Sequence, residues 1–197
     1  MKSLRNWLRL SRWIDRLTRK IGQLTYLLTI AMVSIGVWNV IGRFLGRGIG
    51  QNLSSNASIE IQWYLFAIVF LCGGAYTLQQ GGHVRVDVFY SRLNRKRKAL
   101  VDLAGSLLFA IPFSVLAIAF SWSSIAKSWA ILEQSPDPDG LPRYPIKSFI
   151  LVGFVLIILQ AISEAIKNVA ILRGLDPGRA QPGESTTRGG TTRGGEP

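Results

Sequence analysis

Apolar residues gather in four stretches of the chain, 21–42, 61–78, 99–122 and 148–166. Each is close to the roughly 20 residues an α-helix needs to cross the hydrocarbon core of a bilayer. The polar segments between them differ in charge. Lys2, Arg5, Arg9, Arg12, Arg16, Arg19 and Lys20 precede the first stretch, and Arg85, Arg92, Arg95, Lys96, Arg97 and Lys98 separate the second from the third. The other two connections carry only Arg43 and Arg47, or Lys127, Arg143 and Lys147 offset by Glu133, Asp137 and Asp139. Lys and Arg concentrate on cytoplasmic loops. The pattern therefore predicts both termini inside and two hairpins outside. The predicted class is an all-α membrane protein: four transmembrane helices preceded by an N-terminal amphipathic interfacial helix.

The predicted organisation is an interfacial helix over 1–20, a four-helix transmembrane domain over 21–170 and a disordered cytoplasmic tail over 171–197. At about 100° per residue the basic side chains of the first segment share one arc, while Leu4, Trp7, Leu8, Leu10, Trp13, Ile14 and Leu17 fill the opposite one. Such a helix suits the membrane interface, with Trp7 and Trp13 in acyl chains and Arg5, Arg9, Arg12 and Arg16 toward anionic lipid headgroups. Docking on a partner protein is the other reading of that pattern, and the two are compatible. Trp38, Trp63 and Trp122 lie near span ends assigned outside, and none is at a span centre, as the headgroup preference of Trp requires. The tail repeats Thr-Thr-Arg-Gly-Gly at 186–190 and 191–195 and has few apolar groups to bury.

Charge and composition then narrow the function. A formal charge of +12 over 197 residues would suggest a nucleic-acid partner in a soluble chain. Here the basic residues flank spans, so no nucleic acid is expected. The first span is too long for the apolar core of a cleaved signal peptide. One Cys (Cys72) forbids an internal disulfide, and one His (His83) excludes a bis-histidine haem and argues against a dedicated zinc site. No cofactor, no metal and no catalytic group is expected, so the chain does not read as an enzyme.

Ionisable groups beside a span are functional candidates by default. Arg43 sits at the outer end of the first span, placed to reach headgroups or a neighbour. Glu60 opens the second, where a helix N-terminus favours an anion and where contact with a partner subunit is the other reading. Asp102 lies within reach of the basic run 95–98, and Glu164 and Lys167 form an i,i+3 pair. Pro112 should bend the third helix. Carriers that move ions themselves keep polar groups at mid-membrane depth, and this chain has no charge there. Ser135-Pro-Asp-Pro-Asp-Gly-Leu-Pro-Arg-Tyr-Pro reads as a turn between spans three and four. Gly73, Gly74 and Ala75 permit close helix approach. After the Gly81-Gly82 break, His83, Arg85 and Asp87 alternate with valines.

That last segment carries a resemblance. Glu60, the cluster Gly73-Gly74-Ala75-Tyr76-Thr77 and His83-Val-Arg-Val-Asp87 with the basic run after it resemble the small membrane subunit of tripartite ATP-independent periplasmic (TRAP) transporters. The turn 135–147 looks like that of the longer small subunits, and the similarity covers roughly residues 15–170. The resemblance implies a bacterial inner-membrane, multi-pass subunit of an organic-acid importer driven by a cation gradient, commonly sodium. It implies a large multi-span membrane partner that holds the substrate and ion sites, and a periplasmic substrate-binding protein. This chain would scaffold and anchor the large subunit, with Arg43, Glu60, Gly73, Gly74, His83, Arg85 and Asp87 as partner-interface candidates. The alternative is a self-sufficient, oligomeric four-helix exporter, which would want an acid deep in a span.

Overall fold

The computed structural model describes residues 2–50, 55–82 and 93–174, with side chains from residue 6 onward. Four long helices make up the described residues: α1 (Lys2–Ile49), α2 (Asn56–Gln79), α3 (Arg95–Ala130) and α4 (Tyr144–Leu172). All four are long and apolar enough to cross a membrane. Each overruns the apolar stretch that predicted it, because backbone hydrogen bonding does not stop where hydropathy falls.

The N-terminal segment is continuous with the first span: α1 runs unbroken for 48 residues through residue 20. Residues 1–20 contain neither Gly nor Pro, and a break would strand up to four C=O groups on one new end and four N–H groups on the other. At 1.5 Å per residue α1 is about 72 Å long, well over twice a bilayer core. The tail beyond residue 174 and the segment 83–92 lie outside the described residues.

α4 is the interior helix. It packs against α1, α2 and α3, while α1 also lies along α2. Its buried positions are small or polar (Gly153, Gln160, Ala161, Ser163, Asn168, Ala170) apart from Leu156. α1 and α3 instead expose Leu27, Ile30, Trp38, Phe44, Phe109, Phe113 and Phe120. In lipid, apolar surface is not what drives helices together; close backbone approach is. Two glycines provide it. A Cβ on Gly22 would run into the ring of Tyr76, and one on Gly153 would sit 2.7 Å from Leu71 Cβ and 3.0 Å from its carbonyl oxygen. Between these contacts Cys72, Ala75 and Leu156 form the core, flanked by Ile21, Ile68, Phe149 and Ile157.

Pro112 stands just after a local irregularity of α3. Ser106–Ala110 makes a π turn, with the Ile111 amide donating to the Ser106 carbonyl. Proline has no N–H for the carbonyl four residues back and its ring crowds that oxygen; a wider turn gives the extra room. Helix ends are closed locally. Gly81, at φ 64°, ends α2 in a left-handed conformation, with Gly82 donating to Thr77 O and Gly81 to Leu78 O. The same bond pattern closes α3, but there the left-handed residue is Leu132, at φ 46°.

Candidate functional site

Two polar anchors organise the bundle, one at each end. At the first, residues 131–143 connect α3 to α4 and fold back over the start of α2. Glu60, in the second turn of α2 and 3% exposed, receives them. The Ser135 hydroxyl donates to its Oε1 and the Leu141 amide to its Oε2, with the Arg143 guanidinium 4.0 Å from Oε1. Tyr64, one turn further along α2, donates to the carbonyls of Leu141 (3.3 Å) and Pro142 (3.2 Å). The Asn56 amide donates to Pro138 O at 3.1 Å. Three side chains on one stripe of α2 thus hold a proline-rich turn whose own backbone offers few internal bonds. Gly140 completes the fit: a Cβ there would lie 2.6 Å from Ser135 Oγ and 2.9 Å from Glu60 Oε2.

The base of this hairpin is closed by Glu133 and Lys147, which pair directly, and by the Arg143 amide donating to Glu133 O at 2.8 Å. The hydrogen bond from the Lys147 ammonium is the main reason the Glu133 carboxyl titrates below the ordinary carboxylate range. Beside it the Trp129 indole donates to Ser148 Oγ at 2.8 Å and packs edge-on to Tyr144.

At the other end α1, α2 and α4 meet around Asp15. Lys167 Nζ lies 3.2 Å from Asp15 Oδ2 and 2.6 Å from Glu164 Oε1. The Ser163 hydroxyl donates to Asp15 Oδ1 at 2.8 Å and sits 2.7 Å from Ser11 Oγ. Gln160, fully buried, donates to both Asp15 and Glu164, and the Gln79 amide of α2 donates to the Asp15 carbonyl at 2.8 Å. The Glu164–Lys167 pair expected from spacing is therefore part of a larger cluster that ties three helices together. Sequence reasoning missed Asp15. The available signal was Ser11, Asp15 and Thr18 falling on one face of the first segment, and Gln160, Ser163, Glu164 and Lys167 on one face of the last.

Between the end of α2, the π turn of α3 and α4, a cleft of about 710 Å³ opens, lined by Gln79, Asp102, Phe109, Phe113, Glu164 and Asn168 among others. The remaining candidates are scattered. Arg43 is exposed and lines a shallow groove with Asn39, Phe44 and Arg47 on α1. Of the small cluster, only Ala75 is fully buried. Gly74 faces Ile157 at ordinary contact distance, and a Cβ on Gly73 would meet nothing. Trp7, Trp13, Arg9, Arg12 and Arg16 are all exposed on α1. His83, Arg85 and Asp87, and the side chain of Arg5, lie outside the described residues.

An exposed apolar girdle on long helices, with no charged residue in 21–42, 61–78, 103–126 or 148–163, is what a membrane-spanning component requires. The family comparison agrees: residues 32–170 match the model of the tripartite ATP-independent periplasmic transporters, DctQ component. The chain belongs to this family. It is a membrane-spanning component of a three-part transporter, as its residues 60–147 suggested. No curated protein and no solved structure matches it. The match begins inside α1, so the DctQ-like part of the chain takes in both closing residues of the hairpin anchor and the α4 side of the Asp15 anchor, but not Asp15 itself.

Proposed function

We propose that this DctQ-family chain scaffolds and anchors the large transport subunit of an organic-acid importer driven by a cation gradient, commonly sodium, and is not itself an enzyme or a carrier. It sits in the bacterial inner membrane with both termini cytoplasmic, so the hairpin 131–143 faces the periplasm. There it helps seat the substrate-binding protein. The observation that carries this reading is the distribution of polar groups. Glu60, Asp15, Glu164 and Lys167 are engaged within the chain at the two ends of the bundle, and no charged residue falls within 21–42, 61–78, 103–126 or 148–163. A group that carries ions across would have to be reached at mid-depth. The broad exposed apolar faces of α1 and α3 leave ample area for lipid and for a membrane partner.

Reconstitution tests it. The chain alone in liposomes under a sodium gradient should take up no organic acid above empty vesicles. Adding the large subunit and the binding protein should restore uptake, and omitting this chain should abolish it. Uptake by the chain alone would replace the scaffold with a self-sufficient oligomeric carrier.

A further inference from the structure

We infer that residues 6–20 of α1 form a binding site for anionic phospholipids, held at a fixed place on the bundle by the Asp15 anchor. The inference rests on the chain being a membrane protein and not on its transport role, and the segment lies before residue 32, where the family match begins.

The segment has three faces where a simple amphipathic helix has two. Ser11, Ile14 and Thr18 are buried, and Ser11 and Asp15 bond to Ser163 and Lys167 of α4. That face is occupied. Arg9, Arg12, Arg16, Arg19 and Lys20 are exposed on a second face spanning an arc of about 100°. Asp15 is the only acid among residues 1–20, and its carboxylate bonds to Ser163 and Lys167 of α4. On the third side Leu10 and Trp13 are exposed at 44% and 56%, and Trp7, one turn before Ser11 on the buried stripe, is exposed at 51%.

Position and chemistry choose the occupant. Gln79 is the last helical residue of α2 and bonds to the Asp15 backbone, so the residues before Asp15 run beyond the end of α2. The apolar run of α2 stops at residue 78, so this end of the bundle is where headgroups begin. Trp favours the boundary between headgroup and acyl chain, and a basic face beside an apolar one is the two-part attachment that anionic leaflets retain. Four of the five cations are arginines, whose planar fork pairs with phosphate oxygens through two N–H groups. A soluble acidic protein could satisfy the basic face but would leave the tryptophans in water.

The test uses the full chain in nanodiscs of phosphatidylcholine mixed with phosphatidylglycerol. Both leaflets are then alike, and neither orientation nor transport affects the outcome. Lipids retained on release into detergent are counted by native mass spectrometry. The wild-type chain should retain phosphatidylglycerol preferentially, and R9Q/R12Q/R16Q/R19Q should lose about tenfold or more of that preference. Should the variant fail to fold, salt titration of the wild type still decides, since retention must fall as ionic strength rises. Unchanged preference in a folded variant, or salt-independent retention, would overturn the proposal. So would equal retention of both lipids, which would hand the face to a protein partner.

Discussion

Glu60 is the one acid in α2, and its carboxylate receives Ser135 and the Leu141 amide in a space that Gly140 keeps open. Helix-end placement was visible in the sequence; the identity of the partners was not, because they lie some eighty residues away in a turn with no periodicity. The geometry separates two substitutions that look similar. Glu60→Gln keeps an oxygen for the Leu141 amide and an atom that Ser135 can bond, so it should be mild. Glu60→Ala leaves a part-buried amide without an acceptor, which is the expensive half of a lost hydrogen bond, and should speed proteolysis of the hairpin severalfold. Gly140→Ala forces the added carbon against Ser135 and Glu60 and should destabilise the chain by roughly 1–3 kcal/mol, read from thermal unfolding in detergent. If Glu60→Gln proved as damaging as Glu60→Ala, the charge itself would matter, and a contact outside the chain would regain ground.

The hairpin as an element has a pH dependence that follows from its base. Glu133 is held below the ordinary carboxylate range by Lys147. A carboxyl lowered in the folded state contributes stability that is fully present above its unfolded value. That contribution disappears as pH falls through the lowered folded value. Protease resistance of the hairpin should therefore hold from neutral pH down through mild acidity and weaken only below the usual carboxylate range. Glu133→Gln should be less resistant at neutral pH and flatter in acid; a variant with an unchanged profile would show the pair to be inert. Other elements were legible to different degrees. Gly81-Gly82 announced the end of α2, and Pro112 announced an irregularity, since both act through local backbone chemistry. The left-handed Leu132 was not announced, for its conformation is imposed by the closing bonds around it where glycine is usual. The continuity of α1 was hidden because two of its three faces satisfy an interfacial helix, and the third acquires meaning only against α4.

For the whole molecule, hydropathy and charge sorting reveal four helices and leave open which one the others surround. α4 is central because its small and polar buried positions, Gly153, Gln160, Ala161 and Ser163, let neighbouring helices approach closely and bond to it. α1 and α3 carry the large side chains that lipid or a partner must cover. The sequence drew attention to Gly73 and Gly74, yet the close approaches are made at Gly22 and Gly153, isolated glycines with no motif around them. This division separates folding from assembly. Gly153→Leu would drive a side chain into the Leu71 backbone, and should lower the unfolding temperature and the yield of the chain even without partners. At Gly73 an added Cβ meets nothing among the described residues, so Gly73→Leu should change the chain's own stability by no more than about 0.5 kcal/mol. If α2 presents the open face at Gly73 to the large subunit, added bulk blocks the approach. Co-purification of the two subunits should then fall, while the binding protein's affinity for substrate, which resides in another chain, stays constant. Intact co-purification of Gly73→Leu would move the assembly face to α1 or α3, which expose aromatic side chains of their own.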